Sequence, residues 1–260
     1  MAKKEKSDYL IQSVSHALDL LEQFHDEVDE LGVTELSKRL KLHKNNVFRL
    51  LATLESRGYI EQNKVTDNYR LGLKTLELGQ TFVKQMGLLR QARPVLEAMV
   101  NECNETSYVA ILKDFHIVYL DVVETDLTVR VVPRVGTRLP AYCTAAGKVQ
   151  IAYMNEEDLE QYIPSGALKQ FTPNTITDKE RLREQLRQVV ENGYAIDDEE
   201  LDVGVRCVSA PIRDYTRRIV GAVSISGPSM RLSLERIRKE LVPLVKRAAE
   251  EISGKLGFHK

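Results

Sequence analysis

A group of polar side chains lies at the start of a short predicted helix in the first quarter of the chain. It contains Lys44, Asn45, Asn46 and Arg49, with the aromatic Phe48 among them. An asparagine side chain can form two hydrogen bonds with adenine, and an arginine can bond guanine or a phosphate. These residue types in the first turns of one helix indicate that its side chains contact bases in the major groove of DNA.

The basic residues around this helix are concentrated relative to the rest of the chain. Residues 38–74 contain nine basic and three acidic residues, a balance of +6, whereas the whole chain of 260 residues has a net charge of −1. A basic block within a slightly acidic chain is typical of a nucleic-acid site. A solvated helix face gives the same charge pattern, so charge alone leaves both interpretations open.

The spacing of apolar residues predicts the elements that position these side chains. Residues 11–25 have the periodicity of an amphipathic helix, and a second short helix buries Leu36 and Leu40. The third helix begins near Lys44 and ends before Gly58. Two short helices joined by a tight turn, the second with a polar first turn, form a helix-turn-helix.

A β-hairpin is predicted directly after the third helix. Two short apolar segments around Tyr59 and Tyr69 flank a turn-rich stretch, and Lys64 and Arg70 are expected to lie along the DNA backbone. The hairpin is the wing of a winged helix-turn-helix domain over residues 8–72. A generic three-helix bundle is the alternative, and the hairpin argues against it.

Residues 73–103 are predicted to form a helical linker of two helices, broken near Gly87. The two helices have more apolar surface than a linker needs to bury, which favours packing between copies of the chain in a homodimer or a dimer of dimers. The apolar residues concerned are Leu76, Phe82, Leu88, Leu96 and Met99.

The remaining residues, 104–257, have the mixed strand and helix pattern of an α+β domain. Its helices are predicted at Ala145–Met154, from the capping box at Thr177 to Gly193, and from Ser233 to Ser253. Its strands are predicted at Tyr108–Leu112, Ile117–Val123, Thr128–Val132, Arg206–Arg213 and Ile219–Ser226.

A second chemically distinctive group lies on the last two strands. If a two-residue turn joins them, Cys207 pairs with Ser224 and Val205 pairs with Ser226. Side chains alternate along a strand, so these four share one face of the sheet. Two hydroxyls, a thiol and a valine are unusual in a core, and they suit the wall of a ligand site.

The helix that begins at Ala145 is expected to supply the opposite wall. The small side chains of Ala145 and Ala146 leave backbone N–H groups accessible at the start of a helix, where an anion is favoured. A small carboxylic acid, aliphatic or aromatic, fits both walls. The alternatives are that Cys207 is a plain buried residue and that the two serine hydroxyls bond only backbone. Lys148 is expected on the helix surface.

An enzyme that uses Cys207 as its nucleophile is the first competing hypothesis. Such a thiol needs a base and a group that orients the base. The five histidines lie outside the proposed ligand segments, and the three cysteines form no metal-type cluster. No metal, phosphate-loop or dinucleotide motif is present. The sequence therefore predicts neither an enzyme nor a cofactor.

Three ordered stretches together resemble the isocitrate lyase regulator (IclR) family of transcription factors. The first is Arg49–Tyr59, which contains Arg-Leu-Leu and ends in Gly-Tyr, and the second is Leu139–Lys148. The third is Gly193–Pro228, which contains Asp-Asp-Glu-Glu and ends in Ser-Ile-Ser-Gly-Pro. The resemblance covers nearly the whole chain and implies a GAF-like fold for the second domain. It also implies effector contacts at the positions of Leu139, Ala145, Ala146, Asp197, Cys207, Ser224 and Ser226.

These observations predict a transcription regulator that binds a partly palindromic double-stranded DNA operator under the control of a small-molecule effector. Asp197 is also compatible with a purely structural role as a hydrogen-bond acceptor. No apolar run approaches the ~18 residues that span a membrane, and the amino-terminal residues lack a signal peptide, so a cytoplasmic location is expected. The alternative is an architectural DNA-binding protein whose second domain only oligomerises.

Overall fold

The computed structural model describes residues 10–25, 28–85, 87–163 and 168–259. The chain divides into two compact units, Met1–Gln85 and Met86–Lys260. The side chain of Phe82, one of the predicted apolar linker residues, lies outside the described part of the structure. Among the described residues, no helix has both the length and the apolar character needed to cross a membrane.

The first unit is a winged helix-turn-helix, as predicted. Its elements in chain order are α1 (Gln12–Leu21), α2 (Val33–Leu40), α3 (Lys44–Ser56), β1 (Ile60–Gln62), β2 (Tyr69–Leu71) and α4 (Leu73–Gln85). In α3, Val47, Leu51 and Leu54 are buried at the spacing that places them on one helix face. Strands β1 and β2 are antiparallel, and Leu31 forms a bridge with Tyr69 that ties the segment before α2 to the wing.

The second unit is the predicted α+β domain. Its elements in chain order are α5 (Gly87–Cys103), β3 (Thr106–Lys113), β4 (His116–Val123), β5 (Arg138–Pro140), α6 (Ala145–Ile151), α7 (Glu156–Tyr162), α8 (Lys179–Asn192), β6 (Ala195–Asp198), β7 (Val205–Arg213), β8 (Ile219–Pro228), α9 (Leu234–Arg236), a π-helical turn (Ile237–Leu241) and α10 (Val242–Lys255). The six strands form one antiparallel sheet in the order β5-β4-β3-β8-β7-β6.

The two faces of this sheet carry different residues. On one face Val109, Val208, Val223 and Ile225 pack with α5 and α10 in the main apolar core. The short helix α6 contacts strands β3, β4, β6, β7 and β8. Residues of the opposite face, among them Tyr108 and Ala222, pack with α6 in a separate cluster. The sheet therefore has one apolar face that packs against α5 and α10, and a second face that packs against α6.

The prediction that the apolar linker residues form a dimer surface is wrong for three of them. Leu88, Leu96 and Met99 lie on α5 and are buried in the core of the second unit itself. An apolar helix face appears surplus in the sequence because the sheet that covers it forms from strands far along the chain. Leu76 of α4, by contrast, is more than half exposed.

The strand predicted at Thr128–Val132 is wrong. This segment is irregular, and Val129 and Val132 are more than half exposed. A strand needs a partner, and the free edge of β4 is taken by Arg138–Pro140, which pairs with His116–Val118. The valine-rich segment therefore has a strand-like composition without an available edge.

The predicted pairing of the last two strands is shifted by two residues. The turn is longer than two residues, because Arg213 pairs with Ile219. The carboxylate of Asp214 holds the turn by accepting hydrogen bonds from the amide and hydroxyl of Thr216. Cys207 therefore lies opposite Ser226 rather than Ser224. Val205 likewise lies opposite Pro228 rather than Ser226. A shift of two preserves the side-chain alternation, so the predicted face survives.

Candidate functional site

The predicted recognition helix α3 presents its polar side chains to solvent. All five predicted DNA-contacting residues of the helix are exposed: Lys44, Asn45, Asn46, Phe48 and Arg49. Asn45 and Arg49 are four residues apart, on the side of the helix opposite the buried Val47 and Leu51. Asn46 and Arg49 also border an open groove between α1 and α3. The outward face of α3 therefore has the donors and acceptors that base reading requires.

The wing is held in place by a contact that the sequence did not indicate. The carboxylate of Glu30 accepts hydrogen bonds from Asn63 Nδ2 and Thr66 Oγ1, both at 2.7 Å. These bonds lower the pKa of Glu30 below its usual range and anchor the turn of the wing. Lys64, at this turn, is exposed. Arg70 is also exposed but forms an ion pair with Glu61 at 3.3 Å, so it is not a free cation.

The predicted effector residues of the second unit form rows of side chains across the sheet on the α6 side. Strand register places Asp197 beside Cys207, and Cys207 beside Ser226. Two residues further along strands β7 and β8, Ser209 lies opposite Ser224, and Ser224 lies opposite Tyr108 on β3. The structure therefore brings together four residues that the sequence assigned to one site, and it adds Ser209 and Tyr108.

The hydroxyls of these rows differ in whether their hydrogen bonds are satisfied. Ser226 Oγ lies 3.1 Å from Cys207 Sγ, and Ser209 Oγ donates to Val223 O at 2.8 Å. Ser224 Oγ is fully buried beside the Tyr108 side chain, whose phenol it approaches, but among the described residues it has no hydrogen-bond partner of good geometry. Leaving a buried hydroxyl unpaired costs about 1–3 kcal/mol. A polar ligand would therefore gain from binding at Ser224.

Two tyrosines of the same face were not identified from the sequence. The rings of Tyr108 and Tyr119 meet edge to face with their centroids 4.7 Å apart, and both are buried. Burial raises the pKa of both phenols, so they remain neutral donors. The sequence places them on strands, but only the sheet order shows that they border the serines.

Helix α6 faces the rows with its first turn. Thr144 caps it by accepting the amide of Gly147 at 3.2 Å, and the Lys148 amide bonds the Thr144 carbonyl. Ala145 and Ala146 are fully buried, and their amides are the remaining donors of this turn. Because α6 has seven residues, its macrodipole is small and these amides act as individual donors.

Lys148 was expected on the helix surface, and that expectation is wrong. Its side chain is 0% exposed, donates to Ile196 O at 2.6 Å and forms an ion pair with Glu200. The second carboxylate oxygen of Glu200 has no hydrogen-bond partner among the described residues. Lys148 is buried because α6 is short and is covered by the sheet and by α8.

Asp197 belongs to the same buried charge cluster. One of its oxygens accepts the amide of Glu200 at 2.7 Å. Burial raises the pKa of Asp197 to about 7, Lys148 opposes that rise, and the nearby carboxylate of Glu200 adds to it. Asp197 is therefore an acid that titrates near neutrality.

Two other predicted effector residues lie at the margin of the rows. Leu139, on β5, is half-buried and packs with the cluster that contains Tyr119 and Ala146. Val205 is half-buried at the start of β7. Tyr142, which precedes α6, is buried, and its hydroxyl donates to Lys169 O at 2.7 Å.

The thiols of the site are not activated. Burial raises the pKa of Cys207 far above its usual value, and it raises the pKa of Cys143 to about 12. A nucleophilic cysteine needs its thiolate. Within the described residues, no group of three or more histidine, cysteine, aspartate or glutamate side chains is placed to hold a metal ion.

A winged helix-turn-helix with an exposed polar recognition helix, followed in the chain by an α+β unit with a buried polar cluster, defines a DNA-binding transcription regulator. Two family models match the chain. The IclR helix-turn-helix domain matches residues 13–64, and the bacterial transcriptional regulator IclR C-terminal domain matches residues 80–254. The chain belongs to the IclR family of transcription regulators.

Individual relatives agree with this assignment. The HTH-type transcriptional regulator XynR of Escherichia coli is 35% identical over 96% of this chain and 98% of its own length. The crystal structure of Thermotoga maritima IclR has 31% identity and a TM-score of 0.78, with 95% and 99% of the two chains covered.

A second structure, an IclR homologue of Microbacterium hydrocarbonoxydans complexed with 4-hydroxybenzoate, shares the fold. Its TM-score is 0.84 at 23% identity, over 94% of this chain and 98% of that chain. The matched relatives are regulators, so the protein is a regulator rather than an enzyme.

Proposed function

We propose that the protein is a homodimeric regulator whose operator binding is controlled by a small carboxylic acid bound between α6 and the polar face of the sheet. The observation that carries this proposal is the Ser224 hydroxyl, which is fully buried on that face and has no hydrogen-bond partner of good geometry in the described part of the chain. The amides of Ala145 and Ala146 supply donors for a carboxylate on the other wall. Because the residues of both walls are nearly all buried, the proposal favours a ligand of few heavy atoms.

The effector contacts proposed are those named from the sequence. They are Leu139, Ala145, Ala146, Asp197, Val205, Cys207, Ser224 and Ser226. The proposed domains are residues 8–72 for DNA binding, 73–103 for the linker and 104–257 for the effector. The Microbacterium structure of the same fold makes 4-hydroxybenzoate a practical first probe, to be tested beside a panel of smaller aliphatic acids.

Replacing both Ser224 and Ser226 with alanine should abolish the response to the effector. We expect at least a tenfold loss of effector affinity, because each bond from a buried hydroxyl to a charged ligand contributes roughly 1.5–3 kcal/mol. Operator binding without effector should be nearly unchanged. Calorimetric titration of the acid, with operator binding followed by fluorescence anisotropy, measures both quantities.

The matched control is Ser209→Ala on the same face. Its hydroxyl already bonds the Val223 carbonyl, so its removal should leave effector affinity within about threefold of the native value. An equal loss in the control and in the double variant would contradict the proposal that the free hydroxyl recognises the ligand. An architectural protein would show no acid that changes operator binding in any variant.

Arg49→Ala is expected to weaken operator binding by about 1–3 kcal/mol and to relax base preference at one position.

Lys64→Ala should weaken binding to all DNA sequences equally and reduce the salt dependence of binding by about one counterion. Arg70→Ala should have a smaller effect, because Glu61 already pairs with this arginine. Asn45→Ala and Asn46→Ala should change sequence preference.

Gel-shift titrations against the protein's own promoter and a random duplex, at several salt concentrations, test these roles. Arg57→Ala is the matched control, because Arg57 is exposed at the far end of α3 and should alter affinity little. A protein that shows no preference for its promoter at physiological salt would refute the operator proposal. A Lys64 variant with altered base preference would reverse the assigned roles.

The dimer proposal is supported by apolar surface on the first unit. Leu73, Leu76 and Leu78 of α4 and Val14 and Leu18 of α1 are each more than half exposed. Exposed apolar residues in such number on one small unit are typical of an interaction surface. A two-fold protein favours a partly palindromic operator, and a dimer of dimers remains compatible with this arrangement.

A further inference from the structure

Three charged side chains are buried together where α6 meets strand β6. Lys148, Asp197 and Glu200 are 0%, 3% and 4% exposed. Lys148 pairs with Glu200, and Asp197 bonds the backbone amide of Glu200. Two carboxyl groups thus share one ammonium group in a region from which water is excluded. One oxygen of Glu200 is also without a partner among the residues described.

The other titratable groups that face Asp197 supply no compensating positive charge. They are Tyr108 on β3, Tyr119 on β4, Cys207 on β7 and Cys143 before α6, and Asp202 is a further acidic group near Tyr119 and Cys207. Burial raises the pKa of these phenols and thiols, so they stay neutral. Asp198 and Glu199 on the same segment are paired with Arg206. With both carboxyl groups ionised, the cluster has a net negative charge.

We propose that this cluster takes up one proton when an acid effector binds, so that effector affinity decreases as pH rises. This inference rests on the proposed function in placing the acid at this site. The proton comes from solvent and is held on the Asp197 carboxyl, where it removes the repulsion between that group and the ligand carboxylate. The neutral carboxyl then has an O–H that can donate to the ligand or to a neighbouring side chain.

The physical reason is the excess of acidic groups over basic ones. A second anion beside a buried carboxylate raises the pKa of that carboxylate further. Since the pKa of Asp197 in the free protein is about 7, the group is largely protonated at pH 6 and largely ionised at pH 8. By linkage, the number of protons taken up per ligand bound is therefore small at pH 6 and approaches one at pH 8.

Calorimetry with 4-hydroxybenzoate and a panel of aliphatic acids tests this proposal in the full chain. Titrations in two buffers with different ionisation enthalpies count the protons exchanged at each pH from 6 to 8.5. We expect an uptake that approaches one proton at pH 8 and a dissociation constant that rises about tenfold per pH unit above neutrality. Binding by the native protein with no proton uptake across this range would overturn the proposal and leave the effector site intact.

Asp197→Asn mimics the protonated carboxyl and keeps the oxygen that accepts the Glu200 amide. We expect it to bind the acid with no proton uptake and with an affinity independent of pH. The control is Asp202→Asn, which removes a nearby exposed carboxylate and should retain the native pH dependence. A variant at Asp197 that keeps the native slope would overturn the assignment of the proton to this residue.

A measurement without ligand separates this inference from the proposed function. The infrared difference spectrum between the native protein and Asp197→Asn at pH 6 should contain the carbonyl band of a protonated carboxylic acid. The band should disappear by pH 8.5. If no acid binds the native protein, the proposed function fails, and the presence or absence of this band still decides whether the cluster holds the proton.

Discussion

Lys148→Met is expected to lower the free energy of unfolding of the second unit by about 3–5 kcal/mol. The native side chain is fully buried and bonds both Glu200 and the Ile196 carbonyl. Methionine fills a similar volume, so the loss comes from charge and hydrogen bonding rather than from a cavity. The substitution leaves the Glu200 carboxylate in a low-dielectric site without the one cationic partner that it has among the described residues. Urea unfolding of the full chain, followed by circular dichroism, measures the change.

Two further variants separate the buried ion pair from a general effect of removing lysine. Lys246→Met removes an exposed ammonium that donates to Asn192 O at 3.0 Å, and its cost should stay within about 0.5 kcal/mol. The double variant Lys148→Met, Glu200→Leu should recover most of the loss, because neither charge is then left unpaired. A Lys148 variant that is no less stable than the Lys246 control would contradict the burial of this pair.

The structure around Lys148 also shows where sequence reasoning ends. The first unit could be predicted almost completely, because the burial of Val47, Leu51 and Leu54 and the following hairpin are local features of the chain. Lys148 could not be placed, since its partner Glu200 lies 52 residues away in sequence. A lysine in a short helix appears solvent-exposed unless both sides of the helix are known to be covered.

The polar face of the sheet was predictable for a different reason. The pairing of β7 with β8 was wrong by two residues, but side chains repeat every two residues along a strand. Cys207, Ser224 and Ser226 therefore lie on one face in both the predicted and the observed register, which differ by an even number of residues. The apolar surface of α5 was misread because Leu96 and Met99 are covered by strands that come later in the chain. Local periodicity identifies the buried face of an element but does not identify its partner.

Gly147→Ala is expected to destabilise the second unit by about 3 kcal/mol or more, because overpacking against rigid backbone lies at the upper end of such costs. A Cβ added at Gly147 would lie 2.2 Å from the carbonyl oxygen of Ala141 and 2.3 Å from its Cα. Backbone atoms cannot move aside as the end of a flexible side chain can. The substitution must therefore push α6 away from the turn at Ala141–Cys143.

The sign of this effect is informative, because alanine is otherwise the better helix former. At an unobstructed helical position, glycine to alanine stabilises by up to about 1 kcal/mol. Gly79 in α4 is such a position, since nothing lies within 4 Å of its added Cβ. Gly79→Ala is therefore the matched control and should be neutral or stabilising. Urea unfolding of the two variants under identical conditions gives both values.

The same substitution also tests whether α6 forms one wall of the effector site. Displacing the start of α6 moves the Ala145 and Ala146 amides and the Lys148 side chain together. We expect Gly147→Ala to reduce the effector response at least tenfold at a temperature where the variant is folded. Operator binding without effector should persist, because the recognition helix belongs to the first unit. A folded Gly147 variant with native effector affinity would place the ligand away from this helix.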